Sequence, residues 1–365
     1  MRICYLNHDL NSYTGAGRFC LSLLNCLKKE VSDFEYQVLA YDNFLPKTKI
    51  GLFFVLPKIR AIFKKYDIIQ ALDGWPYGFI AALASFGLRK KIIITAVGTG
   101  AVQPLYIFWK KPLLKWAYKR ADKVVATSNN TKQEILKIIP DLDIQVINHG
   151  VEFEKFKIPA KVEARQSRQN SKFKILDGLR PYILSVGALK KRKGYEYSIE
   201  AFSRVAKKFP DLKYIIVGSG SERENLELRI KNYGLSDRIV FLENIPEEEL
   251  IAIYQNAELF ILLPQDISKD IEGFGLAFLE AAAAGLPVIA TRGSSAGDAV
   301  LDGKTGFLVP QLDYKEAAGT IEKLLSQPDL RNQFSKESLN FAKTMSWERV
   351  ARQYGSLYHN LYIYD

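Results

Sequence analysis

Two glutamates eight positions apart, Glu272 and Glu280, flank a glycine-rich turn that opens an alanine-rich segment. Gly273 and Gly275 carry no side chain that would keep a ligand from the backbone, and a helix that begins here presents free amides to an anion. We expect those amides to belong to Gly275, Leu276 and Ala277. The two acids can therefore bracket a ligand with hydroxyl groups at both ends and a phosphate between them, whereas a capped helix with two solvated acids is the structural alternative.

Four consecutive cations at 190–193 lie between a predicted strand, which ends just before Gly187, and the next predicted helix. A solvated run of charge is the ordinary explanation of such a string. The other explanation is a clamp in which Lys193 and Arg192 neutralise a diphosphate, because cations at the end of a strand meet a ligand bound there.

Three further stretches, which begin at Gly15, Gly98 and Gly218, contain Gly-x-Gly without the third glycine of the dinucleotide-binding fingerprint. A plain Rossmann oxidoreductase is therefore not supported. Tight strand-to-helix turns explain these glycines, although such turns also let a phosphate or sugar approach a helix N-terminus. The acidic pair Asp141 and Asp143 is similar to metal-binding pairs of some sugar transferases, but its place after a proline fits turn chemistry.

Short β-rich apolar runs alternate with helical stretches along the chain, which predicts βαβ units and parallel sheets. The predicted strands are 2–7, 36–41, 68–71, 91–96, 123–127, 145–148, 182–186, 214–217, 239–242, 259–263, 287–290 and 306–309. A polar stretch at 159–170 interrupts the pattern and indicates a linker. We therefore predict an N-terminal domain over 1–158, a linker over 159–174 and a second domain over 175–345.

The chain has 365 residues, of which 48% are apolar and 25% charged, so global disorder is excluded. Residues 1–150 contain 21 Lys and Arg against 11 Asp and Glu, which is nearly the whole net charge of +11. This asymmetry indicates that the first half meets an acidic partner: nucleic acid, anionic lipid or a phosphorylated substrate. Sparse cysteines and an N-terminus that reads as a strand predict a cytoplasmic protein, and we expect no transmembrane segment.

Together with their flanking residues, these motifs resemble those of retaining glycosyltransferases of family four, over nearly the whole chain. Glu272 and Glu280 match the Glu-x7-Glu signature, and residues 302–309 are similar to the family's D-G-x-T-G-x-L-V turn. Residues 121–128 and 147–151 match segments that lead into the interdomain linker. The resemblance implies an α/β protein of the GT-B class: two facing Rossmann-like domains with parallel sheets, a deep interdomain cleft, and a C-terminal helix at about 346–365 packed on the first domain.

The resemblance also implies roles for residues. Glu280 would bind the ribose hydroxyls of a nucleotide-sugar donor, Glu272 its sugar near the C3 hydroxyl, and Lys193, assisted by Arg192, its diphosphate as it departs. Further donor contacts are expected at Gly187, Gly273, Phe274, Gly275, Leu276 and Ala277. The acceptor side is expected at Gly15, Gly17, Arg18, Asp73 and Val97. The nucleotide sugar is a substrate, no metal or other cofactor is required, and the configuration is retained when the departing phosphate accepts the acceptor's proton.

Departures from the family pattern concern mostly the acceptor. Ala188 stands where the family often has an arginine, and Val97 stands where a histidine frequently precedes the glycine at 98. Ser294 and Ser295 replace a glycine pair. A catalytically silent member that binds a nucleotide sugar is therefore an alternative to the active enzyme.

Two segments of the first domain combine aromatic residues with cations and contain no acid: 51–65 has four cations and 101–120 has five. This composition suits the headgroup region of an anionic membrane, whereas the alternative is a core with lysines on its outer face. We expect a transferase on the inner face of the cytoplasmic membrane with a lipid or lipid-linked glycan as acceptor. The rival of another class, a nucleic-acid-binding protein, has no recognisable module here. The donor's base and sugar and the oligomeric state are left open.

Overall fold

The computed structural model of the chain describes residues 1–12, 14–32, 34–46, 51, 54–157 and 178–363. Two compact units result: unit 1 comprises Met1–Gly150, Ser268–Phe274 and Trp347–Asp365, and unit 2 comprises Val151–Ile267 and Gly275–Ser346. The predicted linker at 159–174 lies outside the described residues.

Unit 1 contains a six-stranded parallel sheet in the order β2-β1-β3-β4-β5-β6. Its strands are β1 Arg2–Leu6, β2 Glu35–Leu39, β3 Ile68–Ala71, β4 Lys91–Ala96, β5 Lys123–Ala126 and β6 Ile144–Val146. Its helices before β6 are α1 Gly15–Glu30, α2 Leu56–Phe63, α3 Phe79–Ala84, α4 Thr99–Val102, α5 Lys111–Arg120 and α6 Asn129–Leu136. All four residues of β3 are buried, because helices cover both faces of a parallel sheet.

Unit 2 contains a second six-stranded parallel sheet in the order β12-β11-β10-β7-β8-β9. Its strands are β7 Tyr182–Val186, β8 Lys213–Val217, β9 Ile239–Leu242, β10 Leu259–Ile261, β11 Val288–Thr291 and β12 Gly306–Val309. Its α-helices are α7 Phe153–Phe156, α8 Tyr195–Val205, α9 Arg223–Asn232, α10 Glu247–Asn256, α11 Leu276–Ala283, α12 Tyr314–Ser326 and α13 Pro328–Thr344.

The last helix, α14 (Trp347–Ile363), belongs to unit 1 and packs against α1. Buried tyrosines tie it to the sheet: the hydroxyl groups of Tyr358 and Tyr5 lie 3.0 Å apart, and Tyr358 donates to Gln70 at 2.6 Å. The Thr14 side chain caps the N-terminus of α1 by accepting from the Gly17 amide. The chain's C-terminal helix thus completes the layer that covers the first sheet.

Every strand that the sequence predicts is present, with small differences at the ends. The predicted domain division differs in two ways: the chain leaves unit 1 at Gly150 and not at 158, and 268–274 belongs to unit 1 although it was assigned to the second domain. The physical reason is that Ile271 is buried in the core of unit 1. Among the described residues, we find no helix that is both long and apolar enough to cross a bilayer.

Candidate active site

In unit 2 the strand order reverses between β7 and β10, because β8 and β9 are added on one side of β7 before the chain crosses to β10. Counted from β9, the order is the 3-2-1-4-5-6 order of dinucleotide-binding sheets. Ligands of such sheets bind outside the carboxyl ends of the two strands at the reversal. Gly187 directly follows β7, so this predicted donor residue lies at the expected position.

Lys193 is the member of the cation run that the fold brings to this position. It ends a short 3₁₀ turn, Lys191–Lys193, and is only 8% exposed, whereas Lys191 is exposed and Arg192 is half-buried. A Cβ at Gly187 would lie 3.6 Å from the Lys193 Nζ atom. A buried ammonium group beside a glycine, whose backbone no side chain shields, is a site that favours an anion. The Arg192 carbonyl accepts from the Gln265 amide at 2.7 Å, which joins the turn to the segment after β10.

Glu280 lies inside unit 2 and is held by a partner that sequence reasoning missed. Gly275, in the left-handed region at φ 84°, precedes α11, and Leu276 and Ala277 form its first turn as predicted. Glu280 is buried, and the Tyr254 hydroxyl donates to its Oε2 atom at 2.8 Å. Tyr254 comes from α10, and no local motif in the sequence links that helix to the glutamate.

Glu272 belongs to unit 1, which corrects the expectation that the whole glutamate motif lies in the second domain. The segment that carries it, Ser268–Phe274, is named the Glu272 loop here. The Thr99 hydroxyl contacts the Asp270 Oδ1 atom at 2.5 Å and the Ile271 carbonyl at 3.0 Å. Lys269 forms an ion pair of 3.1 Å with the buried Glu134. These contacts attach the loop to α4 and α6 of unit 1.

Glycines allow the Glu272 loop to approach the end of β4 closely. Gly98 has a φ of 62°, and a Cβ there would lie 2.6 Å from the Gly273 Cα atom. The Thr127 hydroxyl donates to the Gly273 carbonyl at 3.3 Å. Glu272, Gly273 and Phe274 are thus placed in unit 1, whereas the next four predicted donor residues, Gly275, Leu276, Ala277 and Glu280, are placed in unit 2.

An aromatic box surrounds His149 beside the Glu272 loop. The imidazole stacks on Phe19 at 4.5 Å between ring centroids, and the rings of Phe274 and Trp347 lie at 5.1 and 6.0 Å. Burial lowers the pKa of His149 to about 3, and the nearby charge of Glu272 opposes this shift. His149 was part of a family-like segment, but its position beside Glu272 needs the fold.

The strand order of unit 1 reverses between β1 and β3, and Asp73 follows β3 there. Its Oδ1 atom accepts from the Gly74 amide at 2.7 Å. Burial raises the pKa of Asp73 to about 7, although hydrogen bonds from the Gly74 and Val97 amides oppose the shift. Two residues expected on the acceptor side, Asp73 and Val97, are therefore brought together.

The sequence analysis missed two residues that follow β1, His8 and Asp9. His8 Nδ1 lies 2.9 Å from the Asp9 Oδ2 atom. Asp9 also accepts from the Asn11 amide at 2.9 Å and from the Thr14 hydroxyl at 2.5 Å. A signal was available, since polar residues at the end of the first strand of such a sheet face the ligand side.

The remaining acceptor-side residues lie around this turn. Gly17 is buried, and a Cβ there would overlap the Asn11 carbonyl, so close packing requires this glycine. Arg18 Nε donates to the Ser12 carbonyl at 3.4 Å, and Gly15 is exposed with open space around it. The acidic pair at 141–143 lies in a turn before β6, and Asp143 forms a 2.5 Å ion pair with Lys123. Over the described part of the chain, no three His, Cys, Asp or Glu side chains are grouped as metal ligands.

The two aromatic and basic segments divide between core and surface. Part of each segment is core, as expected from the alternative of a core with lysines on its outer face: Ile59, Phe63, Leu105, Leu114 and Tyr118 are buried. Phe54 and Phe108 are 80% and 94% exposed, and Trp109 and Trp116 are also exposed. Phe86, which lies outside both segments, is exposed as well. The predicted contribution of Phe53 lies outside the described residues.

Ring contacts join five side chains of unit 1 into one patch, which we name the aromatic face: Trp75, Phe79, Phe86, Trp109 and Trp116. Between ring centroids, Trp75 lies 5.7 Å from Trp109 and 5.4 Å from Phe79, and Trp116 lies 6.1 Å from Phe79. The Lys110 Nζ atom lies 5.0 Å from the Trp109 ring centroid. Exposed rings and cations therefore adjoin on the surface of unit 1.

Comparison with known proteins assigns the family. Residues 15–155 match the family described as Glycosyltransferase Family 4, and residues 167–341 match the family described as Glycosyl transferases group 1. A GDP-mannose-dependent alpha-(1-6)-phosphatidylinositol monomannoside mannosyltransferase of Mycolicibacterium smegmatis is 30% identical over 284 residues, covering 75% of this chain and 72% of the relative. The chain belongs to glycosyltransferase family 4.

Solved structures show the fold. HepE of Anabaena, crystallised with UDP, is 18% identical and has a TM-score of 0.79, with 99% of this chain and 100% of that chain covered. Sucrose-phosphate synthase from Thermosynechococcus elongatus is 22% identical and has a TM-score of 0.81, with both chains fully covered. The two parallel six-stranded sheets are those of the GT-B class, which confirms the predicted fold class.

Proposed function

We propose that this glycosyltransferase moves a sugar, with retention of anomeric configuration and without a metal ion, from a nucleotide diphosphate to a membrane lipid or lipid-linked glycan. The observation that carries the donor half of the proposal is the buried Lys193 beside Gly187, at the strand reversal of unit 2. A diphosphate bound there meets a fixed positive charge at the place where negative charge grows as the bond to the sugar breaks.

The remaining residues then take distinct parts of the donor. Glu280, buried and held by Tyr254, accepts hydrogen bonds from the ribose hydroxyls, while the first amides of α11 face the phosphate. Glu272 accepts from the hydroxyl groups of the sugar. Arg192 is half-buried beside Lys193 and adds positive charge. In this scheme the departing phosphate oxygen takes the acceptor's proton, so no protein base is needed.

The donor half is tested by a panel of GDP, UDP and their sugars in thermal-shift and transfer assays. A ligand at about 100 times its Kd adds about 2.7 kcal/mol to stability, so a specific nucleotide raises the Tm measurably. Transfer that continues in EDTA supports metal independence, and an α-linked product from an α-linked donor supports retention. Binding without transfer or donor hydrolysis supports a catalytically silent protein instead, for which Val97 in place of a histidine is the motivating feature.

The acceptor half rests on the aromatic face and on charge. The name of the M. smegmatis mannosyltransferase contains phosphatidylinositol monomannoside, a lipid. The aromatic face here adjoins Lys110, which directly precedes the basic helix α5. Rings of this kind settle at the headgroup level, and each Lys or Arg near an anionic surface contributes about 1 kcal/mol. We therefore place the enzyme on the inner, anionic face of the cytoplasmic membrane.

Vesicle binding tests this surface. Replacing Lys110, Lys111, Lys115 and Lys119 with Glu is expected to reduce binding to phosphatidylglycerol vesicles by at least 100-fold, because attraction becomes repulsion. Binding of the nucleotide should not change, because the donor residues of unit 2 are untouched. Cosedimentation and nucleotide calorimetry measure the two effects.

The matched control replaces Lys207, Lys208, Lys231 and Lys323 of unit 2 with Glu, which changes the net charge equally without touching the aromatic face. Equal loss of vesicle binding in both variants would mean that net charge alone causes the binding, and it would argue for a soluble acceptor. Absence of vesicle binding by the parent at low salt would do the same.

A further inference from the structure

His149 is a buried polar side chain for which the aromatic box alone gives no reason. It is 4% exposed, and neither ring nitrogen has a hydrogen-bond partner among the described residues. A neutral imidazole always carries one N–H, and a buried N–H without a partner destabilises a core. Phenylalanine would fill the same stack of Phe19, Phe274 and Trp347 without that cost.

Glu272 is the neighbour that could accept a hydrogen bond from the imidazole N–H. The Phe274 ring lies 5.1 Å from the imidazole, between ring centroids, and Phe274 follows Glu272 by two residues, so the same loop carries Glu272 to the His149 box. The charge of Glu272 acts to raise the pKa of His149, against the effect of burial. Glu272 is itself buried. Burial keeps the imidazole neutral, so it can donate a hydrogen bond without cancelling the negative charge with which a carboxylate attracts hydroxyl groups.

We propose that His149 is a positioning residue for Glu272: with the donor sugar bound, its ring N–H donates to the Glu272 carboxylate and fixes the orientation in which that carboxylate meets the sugar hydroxyls. The inference rests on the proposed role of Glu272 in sugar recognition. The inference requires a ring nitrogen at position 149, whereas a role in packing alone would be met by any aromatic ring.

The primary test is His149→Phe, which keeps an aromatic ring in the box and removes both nitrogens. We expect an unchanged or higher Tm, an unchanged Kd for the nucleoside diphosphate alone, and a kcat/KM for the nucleotide sugar that falls about 10- to 100-fold, as for loss of a hydrogen bond to a charged group. His149→Gln keeps an N–H donor but loses the stack, so it should lower the Tm and recover part of kcat/KM. Phe19→Leu, which removes the stacked ring but keeps both imidazole nitrogens, should affect mainly the Tm.

A double mutant separates the possible failures. If His149 acts through Glu272, the variant with both Glu272→Gln and His149→Phe is impaired little more than Glu272→Gln alone. Full activity of His149→Phe, with Glu272→Gln impaired, would overturn the inference and leave the proposed function standing. Full activity of Glu272→Gln would overturn both. If His149→Phe does not fold, additive effects of His149→Gln and Glu272→Gln would still count against the inference.

Discussion

The two units have sheets of the same size but opposite polar chemistry at their strand reversals. Unit 2 places the buried Lys193 there, beside Gly187. Unit 1 places the carboxyl groups of Asp9 and Asp73 there, together with His8. A buried cation beside a glycine suits phosphate, whereas carboxyl groups accept hydrogen bonds from hydroxyl groups. The difference agrees with the proposed donor residues of unit 2 and the proposed acceptor-side residues of unit 1, each considered by itself.

The two glutamates of the motif, eight positions apart, also differ in the unit to which they belong. Glu280 lies in unit 2 under the Tyr254 hydroxyl, and Glu272 lies in unit 1 beside the His149 box. A signature that reads as one motif in the sequence is therefore divided between two hydrophobic cores. Substitutions on either side of the division should have effects that differ in kind as well as in size.

The largest effect is expected for Lys193→Ala. Loss of a group that stabilises charge in the transition state costs about 10²–10³-fold in kcat, while the free energy of unfolding should change far less, because Lys193 belongs to a loop turn. Single-turnover transfer assays and thermal unfolding measure the two quantities. Lys191→Ala is the matched control, since this neighbour in the same turn is exposed.

Unchanged activity of both lysine variants would remove Lys193 from the site. A large fall in kcat for both would instead indicate that the turn as a whole, and not one buried ammonium group, provides the positive charge.

The next effect separates the two glutamates. Glu280→Gln should weaken binding of the nucleoside diphosphate by about 10- to 100-fold, because ribose hydroxyls lose a charged acceptor. Glu272→Gln should leave that Kd unchanged and lower kcat/KM for the intact nucleotide sugar by a similar factor. Calorimetry with the diphosphate and kinetics with the sugar donor provide the test, and the reverse pattern would mean that the two roles are exchanged.

Much of this arrangement could be predicted from local sequence, and the reason is physical. Strands buried on both faces appear as continuous apolar runs, so β3 and β7 were predicted with both ends correct. Gly275 marks the start of α11 because the backbone there needs a positive φ. Both signals lie within a few residues of the feature that they predict.

What the sequence did not predict depends on contacts across long separations. The Glu272 loop joins unit 1 through Thr99, which lies 171 residues from Asp270. The partner of Glu280, Tyr254, lies on another helix. His149 meets Phe19 and Trp347 from opposite ends of the chain. No spacing rule connects such residues, because only the tertiary fold brings them together.

The smallest effect is expected where the Glu272 loop is attached to unit 1. Thr99→Val removes the hydroxyl that contacts Asp270 and the Ile271 carbonyl, at 2.5 and 3.0 Å, and keeps the shape of the side chain. A typical intramolecular hydrogen bond contributes about 0.5–1.5 kcal/mol net, so kcat/KM for the nucleotide sugar should fall about 2- to 10-fold, while the Kd of the diphosphate stays constant. Thr99→Ser keeps a hydroxyl and should restore activity. Thr95→Val is the matched control: Thr95 lies on β4, and its hydroxyl accepts from Gln70 at 2.8 Å in the core of unit 1, so this variant should lose stability without any specific loss in sugar use. If Thr99→Val and Thr95→Val reduce Tm and kcat/KM in parallel, the loop is attached for stability alone. A fall in kcat/KM confined to Thr99→Val would show that use of the nucleotide sugar depends on how firmly unit 1 holds Glu272.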